Sequence, residues 1–89
     1  MADAGKAAGD ARRLITGIEH AKAGEWEAAH AIAQSLEGQV HADWLHAILH
    51  KIEGDAGNSR YWYSRTNQAY DAYADPQAEL DALKAVLTY

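Results

Sequence analysis

"ILHKIEGDAGNSRYWY", Ile48 to Tyr63, is the stretch on which the fold turns. Its first part carries apolar residues at helical spacing. Gly54 and Asp55 then break the pattern, and a second helix is expected with Asn58 as its N-cap, because a side-chain oxygen there can accept from the free N–H groups of a first turn. The stretch "IEHAKAGEWEAAHAIA", Ile18 to Ala33, runs in the same order thirty residues earlier: His20 aligns with His50, Gly24 with Gly54, Glu25 with Asp55 and Ala29 with Ser59. Each copy reads as a helix, a Gly-acid stop and a helix whose small residue packs against its partner.

Working outward, five helical segments account for the chain. Ala11, Leu14, Ile18 and Ala21 recur at steps of three and four, predicting a helix from about Asp10 to Ala23, with residues 1–9 as a frayed lead-in. Trp26, Ala29, Ile32, Ala33 and Leu36 mark a second over Glu25–Glu37. Val40, Trp44, Leu45, Ile48, Leu49 and Ile52 mark a third over Gln39–Glu53, broad enough in its apolar face to be the most buried element. The fourth is expected to run on from Asn58 with Trp62, Thr66, Ala69 and Tyr73 inward. Asp75-Pro76 restarts the chain, Asp75 as N-cap and Pro76 at the first helical position, and Leu80, Leu83, Val86 and Leu87 form the last stripe, ending at Tyr89. No alternating run reads as a strand. The expectation is one all-α domain over 1–89, a compact bundle of four or five short antiparallel helices. Two helical hairpins are closed by a C-terminal helix, with Trp26, Leu36, Trp44, Ile48, Ile52, Trp62 and Leu83 in the core.

The order "G-D…A…WY" resembles the helix-turn-helix of tetratricopeptide-like repeats, although the offset is shorter than their period of about 34 residues. The blocks "W-x-x-A-H-x-I-A-Q", Trp26 to Gln34, and "H-A-x-L-H-K-x-E-G-D-x-x-N-x-x-Y-W-Y-x-R", His46 to Arg65, resemble a family of small uncharacterised bacterial proteins. That family usually has Ala where this chain has Ser59, and Ala-Gly at Thr66-Asn67. The resemblance implies a helical fold and a bacterial origin, and carries no activity with it.

Composition removes several functions. There is no cysteine, so disulfides, thiolate nucleophiles and Cys-based zinc sites are excluded. A net charge of −5 with scattered basic residues argues against nucleic acid. No apolar run reaches the roughly 20 residues of a membrane span, and no secretory signal is visible, so no membrane partner and a cytoplasmic location are expected. Ser35, Ser59 and Ser64 fall in or at the start of helices rather than on a nucleophile turn, which speaks against catalysis without metal.

One constellation carries chemistry. On a helical wheel Asp43, His46, His50 and Glu53 share a strip roughly 80° wide, opposite Val40, Trp44, Ile48 and Ile52. His46 and His50 stand at i and i+4, which lets two imidazoles reach one ion. The preceding helix offers Glu27 and His30. A metal site would therefore use His46, His50 and Glu53, completed by His30 or Glu27, with zinc, manganese or iron. The competing reading is a polar network. Phenylalanine is absent, so the large aromatic side chains carry NH and OH groups that need partners, and His46, His50, Glu53, Asp55 and Asn58 are the candidates. Tyr63 belongs near the inner face, Trp62 in the core, and Tyr61 with Arg65 on the surface as a potential contact.

The function expected from sequence is a non-enzymatic helical interaction or scaffold protein, with a protein partner or self-association and no cofactor. The alternative is a small metal-binding protein with a His/carboxylate cluster, hydrolytic or redox.

Overall fold

The computed structural model describes residues 2–88, leaving aside the side chains of residues 2–4, 6 and 7. Five helices form a compact all-α bundle: α1 (Ala2–Lys22), α2 (Trp26–Ser35), α3 (Val40–Ile52), α4 (Ala56–Tyr63) and α5 (Pro76–Thr88). No strand occurs among the described residues.

The two hairpins, α1–α2 and α3–α4, are built by the same local chemistry. Gly24 and Gly54 take φ of 81° and 86°, the left-handed region that a Cβ disfavours. Each lets the chain fold back on the helix just ended. Glu25 N–H donates to His20 O at 2.8 Å, and Asp55 N–H to His50 O at 2.9 Å. Gly24 N–H reaches Ala21 O and Gly54 N–H reaches Lys51 O, both at 3.1 Å, which completes the paired helix-terminating bonds of a Schellman motif. Downstream, Ala29 and Ser59 are both fully buried. Ser59 adds a bond that Ala29 cannot make, donating Oγ–H to Ala47 O at 2.7 Å.

Four boundaries or core positions differ from the sequence expectation. The first helix starts at Ala2 rather than near Asp10, since the alanine-rich lead-in carries high helix propensity; Met1 lies outside the described residues, as does Tyr89 at the expected end of α5. The N-cap of α4 is Asp55, not Asn58: Asp55 Oδ1 accepts from Asn58 N–H at 3.2 Å. The fourth helix stops at Tyr63 instead of continuing to Tyr73. Thr66 ends it, donating Oγ1–H to Tyr63 O at 2.8 Å and accepting from Gln68 N–H at 3.0 Å, a side-chain substitute for the helical ladder. Residues 64–75 then cross as an irregular strap, pinned by Lys51 Nζ on Tyr73 O at 3.2 Å. Finally, Ile52 is 40 % exposed and Val40 45 %, so both ends of the expected apolar stripe of α3 lie at the surface.

The middle of α3 explains that result. Every residue from Ala42 to His50 is buried, polar ones included, because α3 touches each of the other four helices. Among the other expected core residues, Leu36, Trp44, Ile48, Trp62 and Leu83 are buried, while Trp26 is half-buried against the core. Gly17 permits the closest approach of α1. A Cβ built there would stand 3.1 Å from Leu45 Cδ2 and 3.2 Å from an Ile32 methyl. The face of α5 carrying Leu80 and Leu83 closes the bundle, with Lys22–Asp81 and Lys84–Glu19 pairs at its edge. Asp75 Oδ1 caps α5 by accepting from Gln77 N–H at 3.0 Å, as expected from Asp75-Pro76.

Candidate metal centre

Two polar centres lie inside this helical core, one on each side of α3. The first is built on Glu79, fully buried in the first turns of α5. Its Oε2 accepts from Trp44 Nε1–H at 2.8 Å and from Tyr63 OH at 2.6 Å. Its Oε1 accepts from Lys51 Nζ at 2.7 Å. The Lys51 ammonium also sits over the rings of Tyr63 and Tyr70, 4.8 and 5.1 Å from their centroids. Burial, with Glu79 beside it, pushes the Tyr63 hydroxyl well above the usual phenol range. The hydroxyl therefore stays protonated and donates. Donors and acceptors match throughout.

The second centre is a histidine cluster. His30 comes from α2, and His46 and His50 from successive turns of α3. One ring nitrogen from each lies within 4.8 Å of the other two. His30 Nε2 and His46 Nε2 are 3.0 Å apart, so one of them donates to the other. The His46 and His50 rings stack at 5.0 Å, which the i, i+4 spacing allows. Two indoles wall the cluster: Trp26 stacks on His30 at 4.6 Å and Trp62 on His46 at 3.9 Å. His46 and His50 are only 3 % and 6 % exposed, and His30 is half-buried.

Glu53 orients the third ring. A carboxylate can only accept, so the 2.5 Å contact means that His50 Nδ1 carries the proton. In the neutral ring that leaves Nε2 as the lone-pair nitrogen, the arrangement in which metal-bound histidines are commonly held. Burial keeps His46 deprotonated, with its pKa pushed down to about 4, and the neighbouring His30 and His50 add to the effect. His30 is also lowered, by burial first and then His50, with Glu53 and Glu27 opposing. Neutral imidazole is the form that ligates.

The cluster is not a closed hydrogen-bond network. His46 Nδ1 is buried and has no partner among the described residues. With Nε2 committed to His30, that nitrogen is either a bare lone pair or a stranded N–H, and an unmatched buried polar atom costs about 1–3 kcal/mol. Such an atom in a native core calls for an explanation, an ion or water among them.

A metal ion tests well against this geometry. Zinc binds imidazole nitrogen at about 2.0–2.1 Å, so two nitrogens on a tetrahedral ion stand roughly 3.3 Å apart. The His30–His46 pair is already close to that separation. Imidazole donors suit zinc, copper, iron and nickel, whereas manganese prefers oxygen.

The residues singled out from sequence are thus only partly brought together. His30, His46 and His50 converge. Glu53 joins His50 and Asp55 in a second, mostly exposed group, and meets the trio only through His50. Glu27 is exposed and acts on His30 through its field. Asp43 is buried but serves the α2–α3 turn, where its Oδ1 accepts from Gly38 N–H at 3.1 Å. Asp55 and Asn58 form the α4 cap. Tyr61 is 52 % exposed, with the Arg65 guanidinium 6.0 Å from its ring centroid. The expected partners of the aromatic NH and OH groups were not His46, His50, Glu53, Asp55 or Asn58. Trp44 and Tyr63 bond Glu79, and Trp26 Nε1–H bonds Leu49 O at 2.7 Å. Glu79 was missed, although an acid one turn before Leu83 on an apolar stripe was the available signal.

The site and fold define a class, a five-helix bundle of two hairpins with three histidines joined across the α2–α3 interface. No protein family, curated protein or solved structure matches the chain. No helix among the described residues is long and apolar enough to cross a membrane.

Proposed function

We propose that this protein binds a divalent transition metal, zinc in the first instance, through His30, His46 and His50. The observation that carries the reading is the convergence of one ring nitrogen from each of three imidazoles, on two helices, to within 4.8 Å of one another. Glu53 supports it by fixing His50 with Nε2 free. The experiment is metal analysis of untagged protein together with melting curves, with and without zinc, of wild type and His46→Ala. Near-stoichiometric metal and a zinc-dependent rise in Tm that His46→Ala abolishes support the reading. Sub-stoichiometric metal and an unchanged Tm remove it.

A second reading, a helical-hairpin interaction protein that self-associates, is favoured by the repeated hairpin geometry at Gly24 and Gly54. Tyr61 and Val86, at 52 % and 48 % exposure, offer apolar surface to it. Sedimentation that stays monomeric at high protein concentration would remove self-association.

A further inference from the structure

Resting on the metal reading, we infer that the site holds its ion with three protein nitrogens and leaves one coordination position to an exchangeable small donor. Zinc sites are four-coordinate when closed, and those with three protein ligands keep water at the fourth position. The donors that sequence offered for the fourth place are elsewhere. Glu53 is committed to His50 Nδ1, and its side chain is 38 % exposed, pointing its second role at the Asp55 side. Glu27 is exposed and shares no ion-sized group with the trio. Asp43 is tied to the Gly38 N–H. Cysteine, the other common fourth ligand, is absent. Trp26 and Trp62 cover two of the rings with indole faces that cannot ligate.

His30 is the half-buried member of the three, so the solvent approach lies on its side of the cluster. Glu27 and Glu53 stand close enough to His30 for their charge to be felt there. They favour entry of a cation and offset part of its charge once it is held. The ligand class that fits the open position is a small monodentate oxygen or nitrogen donor: water at rest, replaceable by an anion the size of azide.

Cobalt(II) in place of zinc reports this directly, because its visible absorption depends on the number and kind of ligands. The protein is loaded with cobalt, the stoichiometry is fixed by titration, and azide is then added. The expected result is one cobalt per chain, an intense four-coordinate spectrum, and a saturable 1:1 change with azide. Glu53→Gln should weaken cobalt binding by about 10–100-fold, as loss of an orienting partner does, and keep the azide response. Cobalt bound 1:1 with a spectrum that azide does not alter overturns the open position while leaving the metal reading standing. The same holds if azide acts only in Glu53→Gln, since Glu53 is then the fourth ligand. No cobalt binding that depends on His30 and His46 overturns the metal reading, and this inference with it.

Discussion

The Glu79 centre and the histidine centre sit on opposite sides of one helix and differ in how completely their polar atoms are paired. Around Glu79 every donor has an acceptor: Trp44, Tyr63 and Lys51 converge on two carboxylate oxygens. Around His46 one nitrogen is left over. Both centres are buried and polar, so burial alone does not separate a structural group from a binding group. Completeness does. A closed network fixes one packing arrangement and has nothing left to offer a ligand. An incomplete one is where a ligand is to be sought.

The largest expected effect breaks the closed side. Glu79→Ala leaves an indole N–H, a phenol and an ammonium without their acceptor in the core, and should cost about 3–5 kcal/mol in chemical denaturation. A loss under about 1 kcal/mol would mean that Glu79 does not organise this side. The same measurement on metal-free His46→Leu sharpens the contrast, because a leucine removes the unmatched nitrogen. Stability there should stay within about 1 kcal/mol of wild type.

Acid should strike the histidine side next. His46 titrates near 4 in the folded protein and near 6.5 when unfolded. The unfolded chain therefore takes up the proton first as pH falls. The stability from a neutral, buried His46 is complete above about 6.5 and is lost progressively down to about 4, by about 3 kcal/mol in all. Urea melts at pH 7.5 and 4.5 measure it, and His46→Leu should flatten the difference. A wild-type difference that persists unchanged in His46→Leu assigns the acid sensitivity to other groups.

Zinc should act in the opposite direction on the same residues. At a hundredfold excess over the dissociation constant the gain is about 2.7 kcal/mol, absent in His30→Ala and His50→Ala and unaltered by substitutions at Tyr61. The smallest effect compares the two hairpins. Ser59→Ala makes the second hairpin match the first at Ala29 and removes one buried bond to Ala47 O. It should cost about 0.5–1.5 kcal/mol with zinc affinity unchanged.

These contrasts also mark what the chain discloses before it is folded. The hairpins were legible because Gly24 and Gly54 are local signals, set by backbone chemistry within a few residues. The end of α4 was not, since Thr66 competes with the helix through a side-chain bond that propensity does not register. His46 and His50 announced themselves by i, i+4 spacing on one helix. His30 required knowing which face of α2 meets α3, and only the packing settles that. Glu79 lies thirty-five residues from Trp44 and sixteen from Tyr63. The absence of phenylalanine said that buried NH and OH groups need acceptors, but not where along the chain the acceptor stands. For Ile52 the periodicity was right and the depth wrong, because α3 is covered in its middle and bare at its ends.

The placement of the three tryptophans has an optical consequence. Trp26 and Trp62 lie face to face with imidazoles of the cluster, while Trp44 is held by Glu79 on the far side of α3. An open-shell ion bound among the histidines would therefore quench the emission of two indoles strongly and that of the third far less. Trp26→Phe and Trp62→Phe would separate the channels, and Trp44 remains as an internal reference. If the histidines bind such an ion, the molecule would carry both the dye and the standard for following it.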